Sequence, residues 1–439
     1  MILALLVLAA GVPAKDVDAA LAPKLPALLA IYKQLHGNPE LSEKEDKTSA
    51  QLAGRLKQLG YAVTEHFGHY DDPKAPVYGV VAVLKNGPGA TLLVRADMDA
   101  LPVIEQTGAA YASKKKVKNA AGAEVGVMHA CGHDVHMTAL LGTAEMMVQL
   151  KDRWKGTLML IAQPSEEVGT GARSMLSAGL YEKFGKPSFA LGLHVDPELP
   201  AGVLSTRSGF VMANVDELDV TFRGVGGHGA FPHLVKDPIV LASEFVIAVQ
   251  TLVSRETPPY ESAVVSVGSI HGGSKHNVIP EEVKLQITVR SYKDDIRKAL
   301  LDGIVRIANG LAAANGIPAD RMPIIKTLDY EFTPATYNDP TLTDRVTSLW
   351  RTQNLPIQER SPKMGGEDFG RFGLPDHSVA ASFFFVGATD PALLAKLRAD
   401  GRPTPSAHSS TFLPQAEPTI RAGVVATVVA ATELLGYEQ

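Results

Sequence analysis

The sequence predicts an α/β protein of two domains, with a smaller α+β domain inserted into a larger one. Three observations carry this prediction. At 439 residues the chain exceeds what one hydrophobic core ordinarily serves. In its outer parts, apolar strand-like and helical runs alternate, and the strands end in clusters of polar residues. That is the habit of open α/β sheets, whose loops carry chemistry at the carboxyl ends of strands. Between residues 207 and 325 the order becomes strand-helix-strand-strand-helix, which suits a small sheet covered by helices on one face. The larger domain is then discontinuous, 22–206 plus 326–439.

In order along the chain, residues 22–36 read as a helix stopped by Gly37-Asn38-Pro39. Ser42 and Glu45 have capping-box spacing and open a second helix, with Leu52, Leu56 and Leu59 as its apolar stripe. Strands follow at Gly79–Leu84 and Thr91–Arg95, joined across Asn86-Gly87-Pro88-Gly89. The second runs into Asp97-Met98-Asp99. Residues 134–150 form an apolar helix. Thr157–Ala162 is a strand leading to Glu166-Glu167, and Ser188–Leu193 is a strand ended by His194. In the inserted domain, Val215–Phe222, Ala263–Ile270 and Val283–Tyr292 are strands. Pro238–Ser254 and Asp294–Asn315 are its helices. A helix at Ile420–Leu435 closes the chain.

Apolar residues at 45% and charged residues at 20% fit a globular chain. The net charge of −5, with no basic block beyond Lys114-Lys115-Lys116, points away from a nucleic-acid partner. Ile2–Ala10 is nearly all apolar and is followed by Gly11-Val12-Pro13-Ala14. This suits a signal peptide spanning residues 1–14, cleaved after Ala14, and a periplasmic or secreted protein. It is short for a stable membrane span. The competing reading is a hydrophobic helix packed on the domain of a cytoplasmic protein.

The chemistry centres on one cysteine. Cys131 lies in His129-Ala130-Cys131-Gly132-His133-Asp134-Val135-His136, and with no second cysteine it forms no intrachain disulfide. Thiolate, imidazole and carboxylate all ligate first-row divalent metals. Glu166-Glu167 is an adjacent carboxylate pair, which a divalent cation would hold against its own repulsion. His194 and His408 are further donors. Each alone is ordinary: a single His is more often structural, and a Glu-Glu pair more often solvated. The recurrence at successive strand ends favours a metal site.

The segments Arg95–Pro102, His129–His136, Gln163–Glu167, Gly226–His233, Asn277–Pro280 and Gly365–Phe369, with His36–Leu41, resemble the metal-dependent amidohydrolase branch of the aminoacylase/carboxypeptidase superfamily. That branch includes hippurate hydrolases, N-acyl-amino-acid hydrolases and plant auxin-conjugate hydrolases. The resemblance implies a mixed-sheet di-metal hydrolase domain with a ferredoxin-like lid and dimerisation domain. It implies two divalent ions per subunit, with Cys131 bridging and His133, Glu167, His194 and His408 as the other ligands. Zinc or manganese suits that set, and cobalt or nickel also fits. Glu166 is implied as general base and Asp99 as the aspartate behind the ligands. Asp97 stands where other branches have a ligand His, and is not counted as a ligand. Ser165 stands where many relatives have Ala. His228 is implied as an oxyanion donor, often reaching a neighbouring subunit of a homodimer. Asn277 and Arg290 are candidates for the substrate carboxylate, Arg290 having a structural salt bridge as its alternative. The implied reaction is hydrolysis of the amide bond of N-acyl amino acids or small peptides. The rival readings are a cysteine-nucleophile hydrolase and a non-catalytic binding protein on the same fold.

Overall fold

The structure is a computed structural model that describes residues 11–118 and 122–436. Within them the chain falls into two compact units. One runs through Val211 and takes up again with Tyr337–Ser361 and from Asp368 onward; the other is Met212–Thr336 with Pro362–Glu367.

The first unit is built on an eight-stranded mixed sheet. Its order is Ala62–Thr64, Val80–Asn86, Gly156–Gln163, Thr91–Asp97, Phe189–Pro200, Ala380–Thr389, Leu204–Thr206, Ile357–Glu359. The strands Val80–Asn86 and Thr91–Asp97 follow one another in sequence but are not neighbours, because Gly156–Gln163 lies between them. From Gly156–Gln163 through Thr91–Asp97 and Phe189–Pro200 to Ala380–Thr389 all pairings are parallel. These strands are almost wholly buried, as parallel strands covered on both faces must be. The helix His133–Gln149 is buried nearly all round and packs against Leu25–Gly37 and Ala416–Leu434. At Gly142 the approach to Ala416–Leu434 is so close that an added Cβ would lie 2.7 Å from Val424 Cγ2.

Two expectations change here. The strand expected to end at His194 continues to Pro200, so His194 is an interior strand residue. The Ser42/Glu45 pair is not a capping box. The helix begins at Asp46, and Glu45 makes no side-chain cap bond. Ser42 Oγ donates instead to Asp99, and the Glu45 carboxyl accepts from the Ser165 amide. Tertiary partners have taken both side chains from their local helix.

Of the apolar leader, residues 1–10 lie outside the described residues. Gly11–Ala14 are tied down: the Gly11 and Val12 amides donate to Glu433 and Thr432, and Val12 and Ala14 are buried. Ala14 is the first residue of the helix Ala14–Leu21.

The second unit is a four-stranded antiparallel sheet in the order Ala263–Gly272, Glu282–Ser291, Asn214–Arg223, Ile324–Thr327. With helices Pro238–Ala248 and Asp294–Ala314 between strands, the connectivity is a split βαβ, the ferredoxin-like arrangement. Strict alternation along Asn214–Arg223 sends Leu218, Val220 and Phe222 into a core with Leu241, Phe245, Leu300 and Ile304. Among the described residues, Pro238–Glu256 is the one helical stretch long and apolar enough to cross a membrane, by length and composition. Its Leu241, Ala242, Phe245, Val249 and Leu252 are buried in that core, while Ile239, Val240 and Ile247 stay exposed.

Candidate metal centre and active site

Three side-by-side parallel strands and one helix N-terminus build the site. Cys131 and His133 flank Gly132, whose φ of +85° opens the helix His133–Gln149. A Cβ at Gly132 would lie 2.5 Å from Val195 Cγ2, so only glycine lets the segment lie this close to the His194 strand. Glu166 and Glu167 follow the strand Gly156–Gln163, and His408 comes from a loop far downstream with φ of +68°. The His408 loop is held by its own amide donating to the Ala130 carbonyl and by Gln106 N–H to Ser410 O.

Two of the groups of donor atoms that result share the thiol. Cys131, His133 and His194 bring their ligand atoms within 4.8 Å of one another, and so do Cys131, Glu167 and His408. Cys131 Sγ is 3.3 Å from His194 Nε2, and His408 Nε2 is 3.4 Å from Glu167 Oε2. Glu166 stands beside them, its Oε2 3.9 Å from His133 Nε2.

The imidazoles are oriented from behind. His133 Nδ1 donates to the Asp99 carbonyl oxygen at 2.8 Å, and His194 Nδ1 to the Val195 carbonyl at 2.6 Å. Both therefore present Nε2 to the site, the arrangement in which a ligand His is fixed by its other nitrogen. His133 Nε2 and Glu167 Oε1 are buried with no hydrogen-bond partner. Buried polar atoms left without partners in this way, next to a thiol and a second imidazole, fit a cation that would hold His133 Nε2 deprotonated.

Asp99 organises the turn. Its carboxylate accepts the Glu166 amide at 3.1 Å, the Glu167 amide at 3.0 Å and Ser42 Oγ at 2.6 Å. Burial would raise its pKa, but the hydrogen bonds from His133, Ser42 and the Glu167 amide hold it below the usual carboxylate range.

The electrostatics are those of a cluster with too much negative charge for its burial. Burial, with Glu167 and Glu166 nearby, pushes the Cys131 thiol up. Burial raises Glu167 to about 7 despite the opposing pull of His133. At His133, burial would lower the pKa, yet Asp97, Asp99 and Glu167 take it up to about 10.

The three imidazoles of the cysteine run have three different fates. His133 faces the site. His136 Nδ1 donates to Asp97 at 2.6 Å and its Nε2 accepts the Val195 amide at 2.9 Å. His129 is buried elsewhere, and burial lowers it to about 4. Asp97, His133 and His136 also lie close enough to suggest a metal group. Both nitrogens of His136 are already engaged, however, and Asp97 also accepts from Arg95 at 2.7 Å, so that trio has little left to offer a cation.

Residues that sequence reasoning did not single out support this scaffold. Arg95, fully buried, reaches Asp97, Gln163 and Asp368, and Gln163 also donates to Asp368. Their positions inside the matching motifs were the only signal. His36 lies between Asp134 at 2.7 Å and Glu105 at 3.0 Å, behind the helix that carries His133.

The remaining candidates belong to the second unit. His228 is exposed on Gly227–His228, paired with Val278–Ile279, and its Nδ1 accepts the Ala230 amide. Asn277 is next to it in space, since its carbonyl accepts the Gly229 amide. The Asn277 side-chain oxygen is buried without a partner. Arg290 lies apart on Glu282–Ser291, donating to Thr288 Oγ1 at 2.9 Å and 3.6 Å from Glu217.

The sequence pattern of peptidase family M20/M25/M40 matches residues 93–396. The chain belongs to this family. Thermostable carboxypeptidase 2 of Saccharolobus solfataricus is 35% identical, over 82% of this chain and 85% of its own. N-acetyldiaminopimelate deacetylase of Leuconostoc citreum is 38% identical, over 78% and 84%. Among solved structures, a chain from methicillin-resistant Staphylococcus aureus superposes with a TM-score of 0.81 at 30% identity, covering 96% of this chain and 99% of its own. The YxeP protein of Bacillus subtilis, described as a dinuclear metal binding peptidase of the M20 family, gives 0.74 at 27%, covering 94% and 99%.

Proposed function

We propose that this M20 protein hydrolyses the amide bond of N-acyl amino acids or small peptides at a centre of two divalent cations. The observation that carries the reading is the pair of three-donor groups sharing Cys131, with Glu166 alongside. Carboxypeptidase and deacetylase relatives support the substrate class. Cys131 would bridge, His133 and His194 would complete one position, and Glu167 and His408 the other. Zinc or manganese is the first expectation for this donor set. When bound, such cations lower the pKa of a water and polarise the scissile carbonyl.

The chain's own residues do the rest. Glu166 accepts a proton from the attacking water and delivers it to the leaving amine. The Asp99 carboxylate holds the Glu166 and Glu167 amides and its carbonyl holds the His133 ring, so these three residues are in place before the reaction begins. His228 donates to the developing oxyanion through Nε2. Asn277 is the first candidate to bind the substrate carboxylate; Arg290, which already faces Thr288 and Glu217, would have to turn its guanidinium fork away from them to join it.

The exposed apolar residues Ile239, Val240 and Ile247 and the edge strand Ala263–Gly272 would meet a second copy in a homodimer. The apolar leader would direct export to the periplasm or medium. Light scattering reads the first and N-terminal sequencing of the mature protein the second.

Chelation followed by metal add-back, with released amine measured over a panel of N-acyl amino acids, tests the main reading. Loss and recovery of turnover is expected. A chelator-insensitive enzyme would refute it.

A further inference from the structure

The Ser42/Glu45 pair and Ser165 have no part in the chemistry above, yet the fold brings them together directly behind Glu166. Ser165 is fully buried between the strand Gly156–Gln163 and the Glu166-Glu167 pair, and its φ is +53°. An L-residue adopts that left-handed backbone only when its surroundings impose it.

Here the surroundings are specific. The Ser165 amide donates to Glu45 Oε1 at 2.8 Å. Its hydroxyl accepts the Glu43 amide at 3.0 Å and lies 2.8 Å from the Tyr70 hydroxyl. Its carbonyl accepts the Thr170 and Gly171 amides. The next two amides, of Glu166 and Glu167, go to Asp99, which Ser42 Oγ also holds. Three successive amides of the turn are thus each taken by a buried carboxyl group, and the segment 42–45 holds both carboxyls in place. Glu45 is itself fully buried. A buried acid used only to end a helix would cap it, and this one does not.

We propose that Glu45 and Ser165 are positioning residues that, together with Tyr70, lock the backbone of this turn and so aim the Glu166 carboxylate. The proposal rests on the assignment of Glu166 as the base. The hydroxyl is what alanine at position 165 would lack, so in this chain the aim depends on a hydrogen-bond lock as well as on packing.

The test measures kcat and KM on an N-acetylated amino acid with metal-loaded enzyme, alongside metal content and Tm. Ser165→Ala and Ser165→Gly are expected to lose about 10- to 100-fold in kcat, with KM and metal content held, as for a small misplacement of a reacting group. Glycine relieves the left-handed strain but lacks the hydroxyl, so a lock that matters fails in both. Glu45→Gln keeps an oxygen for the Ser165 amide and is expected to retain kcat near wild type, whereas Glu45→Met falls with Ser165→Ala. Tyr70→Phe, which removes one hydroxyl, gives a smaller loss of the same kind and serves if Glu45→Met does not fold. Wild-type kcat per metal-loaded site in Ser165→Gly and Tyr70→Phe, whatever their Tm, would overturn the proposal. Glu166→Gln separates the two ideas. Its full activity would overturn the base assignment, while an inactive Glu166→Gln beside a fully active Ser165→Gly overturns the positioning alone.

Discussion

His36 makes the stability of this protein depend on pH in a calculable way. It is buried with Asp134 at Nδ1 and Glu105 at Nε2, and Tyr32 and Tyr111 pack round the ring. Burial works to lower its pKa, but the two carboxylates prevail and raise it from 6.5 to about 9. A folded-state pKa above the unfolded one means that the folded protein binds the extra proton. The resulting stabilisation is fully present below about pH 6.5 and is lost as pH rises through about 9. At roughly 1.4 kcal/mol per unit, the rise corresponds to about 3 kcal/mol, a large share of a typical folding free energy.

The assay is denaturant unfolding of wild type and His36→Gln between about pH 6 and pH 9.5. Taking the difference cancels other groups that titrate in the window, Glu167 among them. The wild-type advantage is expected to be about 3 kcal/mol at the acid end and to shrink toward the alkaline end. Parallel curves would show that His36 is neutral in the fold and would refute the reasoning. The consequence reaches the site because Asp134 follows His133 in the first turn of the same helix.

Cys131→Ser should lose bound metal and turnover together by elemental analysis and amine release, whereas a nucleophile mutant would lose turnover and keep its metal. Gly132→Ala adds about 1–2 kcal/mol of left-handed backbone strain and a Cβ 2.5 Å from Val195, so Tm and metal occupancy should both fall; full occupancy would show that the segment yields. His228→Ala should cost about 10²–10³ in kcat, the range for one oxyanion donor, with metal content and Tm unchanged, and an unchanged kcat would remove His228 from the reaction.

The α/β fold was legible because its signals are local. Parallel strands such as Gly156–Gln163 announce themselves as apolar runs, and the period-two pattern of Asn214–Arg223 is visible in its letters. The donors were legible one at a time for the same reason. Their sharing of Cys131 was implied only by the family resemblance and not by any local pattern, since it depends on strands whose order in the sheet departs from their order in the chain. Long-range hydrogen bonds were the least legible. Ser42 and Glu45 satisfied every local condition of a capping box, and two partners, Asp99 and Ser165, lying far along the sequence drew them away. His136 was no more distinguishable from His133 by letter. Position along the helix decides it, three residues on, where one ring meets Asp97 and the other the donor cluster.

Asp97 spends both of its carboxylate oxygens on neighbours behind the donor cluster. One oxygen accepts from Arg95 and the other from His136 Nδ1. Burial would raise its pKa, yet Arg95, His133 and His136 hold it well below the usual carboxylate range. The bond to Nδ1–H fixes the tautomer of His136, leaving Nε2 to accept the amide of Val195, the residue after His194. Asp97→Asn breaks this chain whichever way the amide turns. With its NH2 toward His136, the ring must carry its proton on Nε2, which then opposes the Val195 amide. With its NH2 toward Arg95, two donors face each other in the core. Either clash leaves a buried donor unsatisfied, at about 1–3 kcal/mol, and loosens the strand that presents His194. Lower Tm and weaker metal retention on dialysis are expected together. A variant that retains metal and Tm at wild-type levels would show that His194 needs no such brace.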